Sequence, residues 1–382
     1  MLIQERRTAI LFHNMTEDQN KYLSLLRSAL WGVEMQVQLC PKDILDLVRL
    51  ADFQGTGPLI YDQLLKMQDL EMPVAVRMQL KQRSVSSMML QQSMFVALSK
   101  AWTALENADI HPVLLKGFGL AQYYPQPHLR QWGDIDLYVG QKQYHAACGV
   151  LQTVFPDADH PPVEDEERKH YNFILPNTVL ELHRVSMTFA HPRDRRYYEK
   201  LEENCLTKDV PSFEYNGLSI TTPEETFNLF FTFLHAWHHF IETGMNMKQL
   251  CDIAVLLHGY KDVIDHDRLN EMLNKLYLLE VWQLIMSIMV RHLGVPQDEC
   301  PFYTEQSWER SELLFEHILS EGASFKRNEI QTEGMSYLRR KCLTFRFRLD
   351  DSHRVHTFAP KNARHMVVSG ILHGIERAIN GK

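Results

Sequence analysis

Two hydrophobic periods alternate along the chain. Over the first hundred or so residues the apolar positions recur every three to four residues, the spacing of one buried helix face. Thr16-Glu17-Asp18 reads as an N-cap with acids in the first turn, and Leu23, Leu25, Leu26 and Leu30 supply the buried stripe that follows. Pro41 begins a second helix over Lys42–Phe53, stopped by Gly55 and Gly57. From Pro73 to Asn107 a longer pattern places Met88, Met89, Leu90, Met94, Phe95, Leu98, Trp102 and Leu105 at helical spacing. Core packing is the commoner use of such a methionine-rich stripe, and a partner groove the rarer one.

Beyond His111 the period shortens to two. Val113-Leu114-Leu115 is a short apolar run that stops at Lys116-Gly117, and Phe118 to Tyr124 then fit two helical turns before Pro125 and Pro127. Ile135, Leu137 and Val139 alternate with Asp134, Asp136 and Tyr138. Gln141–Val154 reads as a helix with Tyr144, Cys148, Val150 and Leu151 inward. Asn172–Leu175 and Val179–His183 flank a Pro176-Asn177 turn and form a hairpin. Asp157–Lys169 reads as an exposed acidic loop, and His191–Arg196 as a polar loop whose arginines reach toward a phosphate or an acceptor. Helical spacing returns at Thr222-Pro223-Glu224-Glu225, a threonine cap with proline at the first position. Helices follow over Asp265–Leu276, Leu278–Leu293 and Trp308–Leu319. The basic run Lys326–Arg348, interleaved with aromatic residues, is read as a helical hairpin covering this bundle with a charged outer face.

Composition narrows the function classes. The 382 residues are 45% hydrophobic and 23% charged, ordinary for a chain with a sizeable core. A net charge of −8 argues against a broad nucleic-acid-binding surface, without excluding a local basic patch. The six cysteines are widely spaced with no C-x-x-C, and no secretory leader is read before Gln4-Glu5-Arg6-Arg7, so reduced thiols in a cytoplasm are expected. Glu280 and Gln283 interrupt the most apolar segment, Leu276–Val290, which is also too short to span a bilayer.

The chemistry is concentrated in His111–Val139. Because strand side chains repeat every two residues, Asp134 and Asp136 emerge on one face, either solvated at a strand end or facing a hard cation such as Mg²⁺. Upstream, Gly117 permits the positive φ or close backbone approach that a phosphate turn needs. Lys116 and Arg130 lie near the acidic pair in sequence, both upstream of it. Glu181 and His183 share one face of the later hairpin, and pairing beside the Asp134 strand would make Glu181 the third carboxylate of a metal cage. The glycines of Gly117-Phe118-Gly119 fit only two of three small positions of a dinucleotide fingerprint, with Gln122 at the third, so that reading is set aside. On the helix after Thr222, His235, His238 and His239 lie on one side, a spacing open to metal or nucleotide contact but commoner for structural histidines.

Leu115-Lys116-Gly117, the block Arg130-x-x-Gly133-Asp134-Ile135-Asp136-Leu137 and Glu181-Leu182-His183 together resemble the nucleotidyltransferase superfamily with the DNA polymerase β type of catalytic domain, within it the uncharacterised "nucleotidyltransferase 5" family. The resemblance is sharp over Val113–Arg184. It implies an α+β fold: a small mixed sheet in a nucleotidyltransferase-like unit (109–220) framed by an N-terminal helical region (1–108) and a C-terminal helical domain (221–382). It also implies transfer of a nucleoside monophosphate from a nucleoside triphosphate to an unidentified acceptor hydroxyl, with Mg²⁺ or Mn²⁺ held by Asp134, Asp136 and Glu181. Lys116, Gly117, Phe118, Arg130 and Gly133 would bind the nucleotide, and His183, Lys248 and Asp252 would contact substrate. Lys248 and Asp252, four apart, read equally as a surface ion pair. The superfamily usually has Gly-Ser or Gly-Gly at the turn, whereas Phe118 follows Gly117 here and removes the hydroxyl contact to phosphate. Two rivals stand beside the enzyme: a nucleotide-binding module without turnover, and a helical interaction or regulatory protein retaining the fold.

Overall fold

The computed structural model describes residues 15–35, 38–159, 169–207, 210–322 and 337–379, and at 337–345, 347–348 and 373–379 only the course of the helical backbone. Gln4–Arg7, most of the acidic loop 157–169 and the first part of the basic run from 325 lie outside the described residues.

Four helices lead into the sheet. The first, α1 (Glu17–Trp31), opens on a capping box between Thr16 and Gln19 and buries Tyr22, Leu23, Leu25, Leu26 and Leu30. The second, α2 (Asp43–Phe53), matches its expected span, but Gly57 does not extend the break after it. Gly57 instead opens α3 (Gly57–Lys66), whose first turn accepts Pro58 because that position has no intrahelical N–H partner to lose. The long α4 (Val74–Asn107) buries Met94, Phe95, Leu98, Trp102 and Leu105, whereas Met88, Met89 and Leu90 are exposed, so only the second half of the stripe is core. A 34-residue helix spans about 50 Å, longer than the sheet it covers.

The sheet is mixed, with order β1-β2-β4-β3: β1 (Val113–Leu115), β2 (Asp134–Tyr138), β3 (His170–Leu175) and β4 (Thr178–His183). β1 runs antiparallel to β2, β2 parallel to β4, and β4 antiparallel to β3. Leu114, Ile135, Leu137, Tyr171, Phe173, Leu180 and Leu182 form one face, packed on the second half of α4 and on α6 (Gly140–Val154). Alternation then sends the acids to the opposite face.

Besides α3, a further helix and a hairpin escaped the sequence pattern. Residues Pro192–Arg196 belong to α7 (Pro192–Thr207) rather than to a loop, with His191 just before it; its buried apolar face consists of Tyr198, Cys205 and Leu206 in an otherwise charged segment, so the hydrophobic signal is thin. A second small sheet pairs β5 (Ser212–Tyr215) with β6 (Leu218–Thr221) across Asn216-Gly217, both at positive φ, the backbone a two-residue hairpin turn requires.

The remaining described residues are mostly helical: α8 (Glu225–Glu242), α9 (Met247–Tyr260), α10 (His266–Lys275), α11 (Leu279–Ile288) running into a π turn at Met289–Leu293, α12 (Trp308–Glu321), α13 (Tyr337–Phe358) and α14 (Pro360–Ile379). The cap of α8 is Glu224, whose carboxylate accepts from the N–H groups of Thr226 and Phe227, and not Thr222. The N-terminal helices share one hydrophobic core with this bundle. Polar bonds fasten the two: the Trp31 indole donates to the Leu293 carbonyl at 2.6 Å, and fully buried Gln54 donates to Ile318 and Leu319 while accepting from the Met247 N–H. Cys40, Cys148, Cys205, Cys251 and Cys300 are free thiols. No helix among the described residues is long and apolar enough to cross a membrane.

Candidate active site on the polar face of the sheet

Register decides which side chains meet. In the parallel pair β2–β4, Asp134 lies opposite Val179, Asp136 opposite Glu181 and Tyr138 opposite His183. Partners in register share a face, so Asp134, Asp136, Glu181 and His183 project together, as the alternation requires. On the far side of β4, the antiparallel register sets His170 opposite His183 and Asn172 opposite Glu181.

Asp136 is the buried centre of the group. Its side chain has no exposed surface; Oδ1 lies 2.9 Å from His183 Nε2 and Oδ2 3.1 Å from the ammonium of Lys116. Burial alone would raise its pKa, but Lys116 and His183 outweigh that and hold the carboxyl well below its usual range. His183 Nε2 also lies 3.3 Å from Glu181 Oε2. Burial opposes charge on this imidazole, yet the bonds to Asp136 and Glu181 hold its pKa above the ordinary value. For Glu181 the balance is similar, burial pushing its pKa up and the His183 bond bringing it below normal.

Asp134 differs. Among the described residues it makes no hydrogen bond or ion pair. Its pKa is raised, first by the charge of Asp136 and then by burial. Of the two acids side by side, only Asp136 is directly paired; Lys116 and Lys248 act on Asp134 from farther off.

The turn before α5 (Gly117–Ala121) is unusual. Lys116 and Gly117 both have positive φ, +53° and +47°, so a residue with a side chain occupies the left-handed region immediately before glycine. Such backbone costs energy for a non-glycine residue and persists when surrounding contacts fix it. Here the Lys116 ammonium is pinned between Asp136 and His235 Nε2, the latter at 2.8 Å. Since an ammonium only donates, His235 accepts and is neutral. Burial and then the Lys116 charge push its pKa well below normal. On the next turn of α8, burial and Lys116 bring His239 to about 4. His238 points elsewhere, its Nε2 3.2 Å from Glu242.

Two expected nucleotide contacts, Arg130 and Phe118, and one expected substrate contact, Asp252, have other engagements. Arg130 is buried and grips Asp252 bidentately, Nε to Oδ1 and Nη2 to Oδ2, both at 2.8 Å, while the Tyr124 hydroxyl donates to the same Oδ1 at 2.7 Å. Asp252 is therefore neither a surface residue nor the partner of Lys248, and Arg130 holds the loop before β2 against α9 rather than facing a ligand as a free cation. Phe118 packs its ring against Phe95, Trp132, Phe213 and Tyr215, with centroids 4.6 to 6.0 Å apart, in an aromatic cluster joining α4, the pre-β2 loop and the β5–β6 hairpin. Gly133 has open space where a Cβ would stand. Lys248 makes no ion pair among the described residues, and burial followed by the Arg130 charge lowers its pKa.

A family model for an uncharacterised nucleotidyltransferase matches residues 41–294. The chain belongs to this family. The match runs from the start of α2 through the whole sheet to the end of the π turn, and so takes in every residue just described. No curated protein and no solved structure matches the chain.

Two groups of the site were not singled out from the sequence. His170 and Lys169 enter the site from the start of β3; burial, with Lys116 next, lowers the Lys169 pKa. The signal was available in the turn. A two-residue Pro176-Asn177 connection pairs Leu175 with Thr178, and counting outward in steps of one brings His170 opposite His183.

Proposed function

We propose that the protein transfers a nucleoside monophosphate from a nucleoside triphosphate to an acceptor hydroxyl and releases pyrophosphate, at the carboxylate face of the four-stranded sheet. The observation that carries this reading is the unpaired Asp134 beside Asp136, with Glu181 in register on the neighbouring strand. Carboxylates on one face suit a hard divalent cation, and an acid lacking any partner supports the fit. Mg²⁺ or Mn²⁺ would be held by Asp134, Asp136 and Glu181, where it would neutralise phosphate charge and favour ionisation of the acceptor hydroxyl.

The chain's own groups do the rest. Lys116 fixes the Asp136 carboxylate and, with Lys248, brings positive charge beside Asp134. His183 orients Asp136 and Glu181 together, so both keep their ionised form at neutral pH. The Phe118 side chain is held in its aromatic cluster, so the turn contributes its backbone to a phosphate and no hydroxyl. Arg130 acts at one remove, by holding the loop that carries Gly133 into β2.

Pyrophosphate release over a panel of nucleoside triphosphates and hydroxyl-bearing acceptors, with Mg²⁺ present, tests the assignment. Release by the wild type, lost in Asp136→Asn, is the expected result. Wild-type release by Asp136→Asn refutes the scheme, and triphosphate binding without release selects a nucleotide-binding module instead.

A further inference from the structure

Among the described residues, the set of three metal-ligating side chains whose donor atoms lie within 4.8 Å of one another is His170, Glu181 and His183, not the three acids. We propose that these three residues form a binding site for a divalent transition-metal ion, with Zn²⁺ as its representative, that shares Glu181 with the carboxylate face but is distinct from an all-oxygen Mg²⁺ site.

The geometry is that of ligands around a missing centre. His183 Nε2 lies 3.3 Å and His170 Nδ1 3.7 Å from the same oxygen, Oε2 of Glu181. With metal–ligand bonds of about 2.0–2.1 Å, a tetrahedral ion has ligand–ligand edges of about 3.3–3.4 Å. One edge matches and the second is only slightly long. The third, between two rings whose centroids are 5.0 Å apart, closes by rotating His170 about its side-chain bonds. Direct hydrogen bonding accounts less well for the arrangement. At 3.7 Å the His170–Glu181 separation exceeds a hydrogen bond, and His170 Nδ1 is buried without a partner. A buried ring nitrogen aimed at a carboxylate and bonded to nothing is costly unless something else completes it.

Donor chemistry selects the ion. Two imidazoles and one carboxylate favour zinc and its transition-series neighbours, whereas Mg²⁺ prefers oxygen and retains its waters. The site is also anchored, with Glu181 and His183 on β4 and His170 on the strand paired to it; on metal binding His183 Nε2 exchanges its 2.9 Å bond to Asp136 for the ion.

The test uses the full chain, stripped with chelator and titrated with Co²⁺ alone, whose visible spectrum reports ligand type and geometry. The expected result is one equivalent bound with nitrogen–oxygen ligation and no thiolate charge-transfer band. Millimolar Mg²⁺ should fail to displace it. His170→Ala should weaken Co²⁺ and Zn²⁺ binding about tenfold or more, with circular dichroism verifying the fold, and His170→Gln repeats the measurement should alanine not fold. Asp134→Ala should leave the spectrum unchanged. Absence of Co²⁺ uptake, a thiolate spectrum, ready displacement by Mg²⁺, or wild-type affinity in both His170 variants overturns the proposal. No nucleotide is present, so a failed transfer reaction and a failed metal site are separate outcomes.

Discussion

Asp252→Ala should be among the most damaging single changes on the polar side of the molecule, although Asp252 belongs to no proposed chemistry. Its carboxylate accepts from Nε and Nη2 of Arg130 and from the Tyr124 hydroxyl, at 2.7 to 2.8 Å. Both charged side chains are about 95% buried, so water does not replace what is lost. Removing one partner of a buried pair costs about 3–5 kcal/mol, and an orphaned buried hydroxyl adds to this, giving a total of about 4–6 kcal/mol. The loss comes from stranding Arg130, not from the worth of the pair itself. A triple variant, Tyr124→Phe with Arg130→Met and Asp252→Leu, should therefore lose less than Asp252→Ala alone. Urea unfolding followed by tryptophan fluorescence and circular dichroism measures both, using two probes because the chain has two hydrophobic cores. The triple variant should also keep triphosphate affinity, since Arg130 acts through the loop. A loss below about 1 kcal/mol in Asp252→Ala, or an Arg130→Lys variant of full stability that no longer binds triphosphate, would refute the clamp and restore Arg130 as a phosphate ligand.

Two further outcomes follow from the site. Phe118→Ser restores the hydroxyl usual in the family but removes a ring touching four others, so it should cost about 2–3 kcal/mol and leave transfer no faster; a faster, equally stable variant would contradict that. Stability should fall on acidification from pH 7. Burial holds His170 and His239 at about 4 and His235 well below its ordinary value in the folded chain, against about 6.5 unfolded, so the unfolded state binds more protons in this window. Their contribution is present above pH ~6.5 and is lost as pH falls through the lowered folded values, while the raised His183 opposes it only above pH ~6.5, being protonated in both states below that. Urea midpoints from pH 7 to 5 should decline, and His239→Gln should flatten the decline by about one proton; a midpoint rising toward pH 5 would reverse the assignment.

Local signals made much of this fold readable from sequence. Strand alternation put both aspartates on one face, the hairpin around Pro176-Asn177 carried its own register, and capping at Thr16 marked α1 to the residue. What was missed depended on partners distant in sequence. Arg130 looked available because nothing near it in the chain reveals Asp252, 122 positions away. Phe118 looked like a defect of the phosphate turn until its four aromatic neighbours from three segments were assembled. The exposed Met88 and Met89 have the same helical spacing as buried Met94, since periodicity identifies a face but not how far a packing partner extends along it. α7 was hidden by its charge, and His170 became a site residue only when the hairpin register was followed to its end.

Asp134→Asn tests the central claim most directly, because it separates function from folding in a single variant. Its carboxylate makes no hydrogen bond or ion pair among the described residues and is repelled by Asp136, so neutralising it should leave the urea midpoint equal to or above wild type. Mg²⁺-dependent pyrophosphate release should meanwhile fall by about a thousandfold or more. A destabilised Asp134→Asn protein, or a stable one that still releases pyrophosphate at the wild-type rate, would contradict the assignment of this face to nucleotidyl transfer.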